Sequence, residues 1–125
     1  MSRVREKLKR YYKERYKKAM GTSNRIAEDY AEGLVRWLEN EKLRNGKYAD
    51  VIEVFKVDKD TLKYVCHPLP VPAGAGQEEI LKIARKGANV GDFMILPNGK
   101  VFRRIRGGFR EATNEDLAEL ISSQI

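Results

Sequence analysis

The chain has 125 residues, 42% of them apolar and 34% charged, with 25 basic side chains against 18 acidic ones and a net charge of +7. That is the apolar content of one folded domain, too mixed in sign for a disordered chain and too short for two ordinary cores. The lone cysteine, Cys66, excludes an internal disulfide and a cysteine-built zinc framework; no apolar run approaches the roughly 18 residues of a membrane span, and the N-terminal residues lack an apolar signal region. The expectation is a cytoplasmic protein with no membrane partner, and the wealth of Lys, Arg and Glu would suit a thermophile.

In chain order, residues 2–20 carry Val4, Leu8, Tyr11, Tyr12, Tyr16 and Met20 as one apolar stripe among bases, which predicts an amphipathic helix. Gly21-Thr22-Ser23-Asn24 supplies a stop and an N-cap. A second helix is expected to run to about residue 43, burying Ile26, Tyr30, Leu34, Trp37 and Leu38, with Ala27 and Ala31 allowing close approach. After the Asn45-Gly46 break the pattern becomes extended. Residues 51–57 and 62–66 are rich in β-branched and aromatic side chains around a polar Asp58-Lys59-Asp60 turn, and read as a hairpin.

Pro68, Pro70 and Pro72 rule out a central strand, so residues 68–72 read as a rigid extended connection. A third helix is predicted over 77–86, with acids first, Arg85 and Lys86 last, and Gly87 as a left-handed cap. Residues 93–96 and 101–105 flank Asn98-Gly99, the signature of a type I′ hairpin. Thr113 and Asp116 form a capping-box spacing before a short last helix. The fold class is thus α+β: two N-terminal helices, a four-stranded sheet of two hairpins, a connecting helix and a short C-terminal helix. The domain reading is a basic helix over 1–20 and a single α+β domain over 21–125.

The charge is localised. Residues 1–18 hold nine bases, Arg3, Arg5, Lys7, Lys9, Arg10, Lys13, Arg15, Lys17 and Lys18, against Glu6 and Glu14, while the rest of the chain holds 16 of each sign. A cationic helix of this kind gains affinity for a phosphate backbone by releasing condensed counterions. A second cluster, Arg103, Arg104, Arg106 and Arg110, is interleaved with Gly107, Gly108, Phe102 and Phe109; arginine forks suit phosphate and the rings suit unpaired bases. The competing reading pairs these arginines with Glu115 and Asp116. The 72–77 loop lacks the lysine of a P-loop and the third glycine of a dinucleotide fingerprint, so it reads as a hinge. His67 and Cys66, adjacent on a strand, point to opposite faces and make no metal pair.

The acids Glu28, Glu32, Asp50 and Glu53 admit a Mg²⁺ site between helix and sheet. The run from Gly21 through Glu28 and Glu32 to Leu34, followed by Asp50-Val51-Ile52 and a second strand, resembles the opening of PD-(D/E)XK endonuclease cores such as the archaeal Holliday junction resolvases. The resemblance implies a metal-dependent nuclease and carries over onto Glu28 and Asp50 as catalytic candidates; Glu53, on the same strand as Asp50, is a further candidate from the residues themselves. Where that family carries Glu-x-Lys, this chain has Cys66-His67-Pro68.

The leading expectation is a nucleic-acid-binding protein, its partner DNA or RNA, that grips phosphates through the first helix and the Arg-rich hairpin without a cofactor. The alternatives are the Mg²⁺ nuclease and a homo-oligomeric assembly or virion component joined through the tyrosine stripe.

Overall fold

The computed structural model describes residues 3–41 and 48–124, which form two compact units, 1–47 and 48–125. The Asn45-Gly46 break and the end of the second helix near residue 43 lie outside the described residues.

The first unit is a pair of helices, α1 (Arg3–Met20) and α2 (Asn24–Glu41). Gly21 ends α1 at φ +64, a left-handed conformation that glycine adopts at little cost, and its N–H donates to the Lys17 carbonyl at 2.8 Å. Ser23 then starts α2: its carbonyl accepts from Ala27 at 3.1 Å and its hydroxyl from the Ile26 N–H at 3.4 Å. The stop and cap therefore stand where the sequence puts them.

The tyrosine stripe turns inward except at Tyr11, which is exposed. Tyr12, Tyr16 and Met20 are buried, and Tyr16 stacks on Tyr30 of α2 with centroids 3.8 Å apart. On α2 the buried stripe is Ala27, Ala31, Leu34, Val35 and Leu38. It is rotated from the expected one. Ile26 is exposed, Tyr30 and Trp37 flank the stripe half-buried, and Val35 lies in it.

The second unit is a five-stranded antiparallel sheet, one strand more than expected, ordered β2-β1-β3-β4-β5. Its strands are β1 (Tyr48–Val57), β2 (Tyr64–Pro72), β3 (Phe93–Ile95), β4 (Val101–Ile105) and β5 (Gly108–Glu111). Helix α3 (Gln77–Gly87) covers one face, where Ile52, Val54, Val71, Met94 and Leu96 pack with Ala84 and Ala88. Helix α4 (Asn114–Gln124) crosses the other face, from Arg103 and Arg110 at its start to Tyr64 at its end. Strand β1 is an interior strand, and the five residues from Val51 to Phe55 are all buried, so both of its faces are covered.

Three local readings change. Residues 68–72 are not a connection but the second half of β2, an edge strand paired along β1 from Tyr64 to Pro72. Prolines at alternate positions put every missing donor on one side, the side a ladder does not need. The Asn98-Gly99 turn is not type I′. Only Gly99 has positive φ, at +84, while Gly99 N–H donates to Leu96 O at 2.8 Å and Leu96 N–H to Lys100 O at 3.0 Å. This is a type I turn with a glycine bulge, and the fixed φ of Pro97 favours it. Gly87 is a helical residue rather than a left-handed cap; a Cβ there would overlap the Leu69 side chain.

Candidate nucleic-acid interface

The bases of α1 divide by helix face. Those directed toward α2 are spent on its acids: Arg5 engages Glu32 and reaches Glu39 at 3.0 Å, while Lys9 lies 3.6 Å from Glu28 and 3.4 Å from Glu32. The Arg5 hydrogen bonds hold the Glu32 carboxyl below its ordinary range, and Glu32 with Glu39 raises the Arg5 guanidinium. Arg15 is buried, its guanidinium 4.9 Å from the Tyr12 centroid and 5.3 Å from that of Tyr11. Lys13 lies 3.8 Å from Glu14, and Lys17 donates to Asn24 Oδ1 at 3.3 Å.

Lys7, Arg10 and Lys18 remain. All three are exposed, and none has an ion pair or hydrogen bond among the described residues. At 100° per residue, positions 7, 10, 14 and 18 fall within an arc of about 80°, so these bases form a ridge interrupted only by Glu14. The Arg3 side chain lies outside the described ones. Seven acids and fourteen bases belong to residues 1–47, against eleven of each in residues 48–125, so the first unit carries the whole +7.

The Arg-rich hairpin is split by its own pleat. Arg103 pairs with Phe93 in register and Arg110 with Arg103, placing both on the α4 face. There Asp116 accepts from Arg103 at 2.8 Å and from Arg110 at 2.6 and 3.1 Å, and Arg103 also reaches Glu119 at 2.8 Å. Asp116 completes the capping box as well, accepting from Thr113 N–H at 2.9 Å while its own N–H donates to Thr113 Oγ1 at 3.2 Å. Burial raises the Asp116 pKa, but the Thr113 N–H and the two arginines outweigh it and hold this carboxyl well below the usual carboxylate range. Burial likewise opposes the charge on Arg103, and Asp116 with Glu119 more than restores it. Burial, helped by Glu119, pushes the Tyr64 hydroxyl up.

Arg104 points to the α3 face. It donates to the carbonyls of Ile105 at 2.6 Å and Gly108 at 2.9 Å, and lies 5.3 Å from the Phe109 centroid; its buried Nε has no partner among the described residues. Arg106, in the β4–β5 turn beside Gly107, is exposed. Of the four hairpin arginines, only Arg106 is both exposed and without a carboxylate or carbonyl partner among the described residues.

Glu28 belongs to the helical unit and pairs with Lys9, whereas Asp50 and Glu53 stand on β1, three positions apart and hence on opposite faces of the sheet. Asp50 Oδ1 accepts from Val51 N–H at 2.7 Å, and Glu53 is fully buried. Among the described residues no group of three His, Cys, Asp or Glu is placed to hold a metal ion. Cys66 and His67 alternate along β2, half-buried and exposed. The 72–77 loop leads into α3 with Glu78 and Glu79 in its first turn, which repels an anion from that end. No helix among the described residues is long and apolar enough to cross a membrane.

Sequence reasoning missed a third set of bases, Lys82, Arg85 and Lys86 on α3, because Arg85 and Lys86 read as ordinary complements of the helix dipole. All three are exposed, and Arg85 donates to Gly107 O at 3.3 Å, which brings the end of α3 to the β4–β5 turn. The signal was present in the i, i+3, i+4 spacing of 82, 85 and 86. Comparison of the chain with protein-family models, curated proteins and solved structures finds no match.

Proposed function

We propose that the protein binds nucleic acid through its phosphates, with the outer face of α1 as the contact surface. The observation that carries this reading is the ridge of Lys7, Arg10 and Lys18, exposed and unneutralised in the unit that bears all of the net charge. The inner bases meet carboxylates or rings, so the positive potential is directed outward along one helix face. A row of cations rising along a helix suits a polyanion, because each phosphate neutralised releases counterions whatever the base sequence. Little base readout is expected from this surface.

Three or four neutralised phosphates correspond to a log–log salt slope of about −3 on duplex DNA. The test is fluorescence anisotropy with labelled duplex and single-stranded probes across a salt series. The variant Lys7→Ala/Arg10→Ala/Lys18→Ala keeps the helix, since alanine is the best helix former, and should remove most of the slope. Absence of binding to any DNA or RNA at about 100 mM salt, or an unchanged slope in the triple variant, overturns the reading.

A further inference from the structure

We propose that the groove between α3 and β5 holds one unpaired nucleotide of a nucleic-acid strand, its base on Leu81 and Phe109 and its phosphate on Lys82 and Arg85. The proposal rests on the nucleic-acid reading above and adds to it a base-contacting site in the other unit. The groove has a volume of about 300 Å³ and is lined by Glu78, Leu81, Lys82, Arg85 and Phe109. That is the lower end of the range for small-ligand sites, enough for one nucleotide and not for a run of them.

Its construction is amphipathic. Leu81 and Phe109 are half-buried and pack against the core under α3, so they offer a fixed apolar floor. Phe109 is further set by Arg104, whose guanidinium is tied to two backbone carbonyls and lies over the ring. Glu78, Lys82 and Arg85 stand at i, i+4 and i+7 on α3, one rim of the groove with its acid at the start of the helix and its bases toward the end. That gradient gives the ligand a direction. The phosphate must lie toward Lys82 and Arg85, where exposed Lys86 and Arg106 extend the positive charge, and away from Glu78. A neutral apolar ligand would leave these cations unused, while an aromatic ring joined to a phosphodiester uses both floor and rim.

The experiment compares an oligothymidylate of about ten residues with an oligomer of the same length and backbone whose residues lack bases. The intact protein should bind the thymidylate about tenfold tighter or better, the gain from placing one base on an apolar floor. Phe109→Leu should abolish most of that preference while thermal unfolding reports an intact fold. Lys82→Glu, at an exposed position, should weaken both probes severalfold. Equal binding of the two probes by the unmodified protein overturns the proposal, as does a preference unchanged in Phe109→Leu or affinities unchanged in Lys82→Glu. The two readings fail separately: loss of base preference with an intact salt slope removes the groove alone, and a base preference whose salt slope ignores the α1 substitutions removes the ridge alone.

Discussion

Asp116 ties three elements of the sheet unit together. It caps α4, fixes Arg103 from β4 and Arg110 from β5, and is itself buried. Asp116→Asn keeps a side chain able to cap but removes the charge that two guanidinium groups face. A loss of about 2 kcal/mol at neutral pH is expected, measured by urea unfolding. The pH dependence follows from the direction of the shift. The folded carboxyl titrates below its unfolded value of about 3.9, so the unfolded chain takes up the proton first as pH falls. Its stabilisation is whole above about pH 5 and is lost progressively below about pH 4, and the Asn variant should show a flatter stability profile there. The capping box was legible, because Thr113-x-x-Asp116 is a local spacing. The arginine pairs were legible only as an alternative, since the face each arginine takes depends on a register that spacing alone does not fix. Leu62 gave no sequence signal: it stands at φ +59 in the β1–β2 turn, largely exposed. Leu62→Gly relieves that conformation and should stabilise the protein by about 0.5–1 kcal/mol, read as a raised unfolding midpoint.

The two edge strands differ in what they present to a neighbour. Strand β2 has prolines at 68, 70 and 72, which strip donors from its outer side and discourage a further strand from adding there. Pro68→Val/Pro70→Val restores those donors and should produce concentration-dependent association in sedimentation velocity, with none through this edge expected for the unmodified chain. Helix and hairpin positions were readable because periodicity and glycine turns are local properties. Strand β5 was not, since Gly108-Phe109-Arg110-Glu111 has no alternation and follows a Gly-Gly pair that reads as loop. It exists because β4 offers a free edge, a tertiary cause. The prolines misled for the same reason: they exclude a central strand, and whether a strand is central is decided by the order of the sheet.

Across the whole chain, sign and structure separate. The sheet unit balances its charges, and most of its hairpin arginines are held internally, while the helical unit keeps an excess of seven positive charges after its own pairing. The excess was plain in the sequence, but its partition was not: nine bases in the first helix reduce to a ridge once α2 has taken Arg5 and Lys9 and the aromatic rings have taken Arg15. Of the acids weighed as nuclease candidates, Glu28 lies on α2, while Asp50 and Glu53 lie on opposite faces of β1. The most direct measurement is a pair of salt titrations of nucleic-acid affinity on two charge-matched variants, one lacking Lys7, Arg10 and Lys18 and the other lacking Lys59, Lys63 and Lys100 of the sheet unit. The ridge account predicts that the first loses most of the slope and the second keeps it. Equal losses from both variants would mean that affinity follows total charge, and the ridge would have no special part in it.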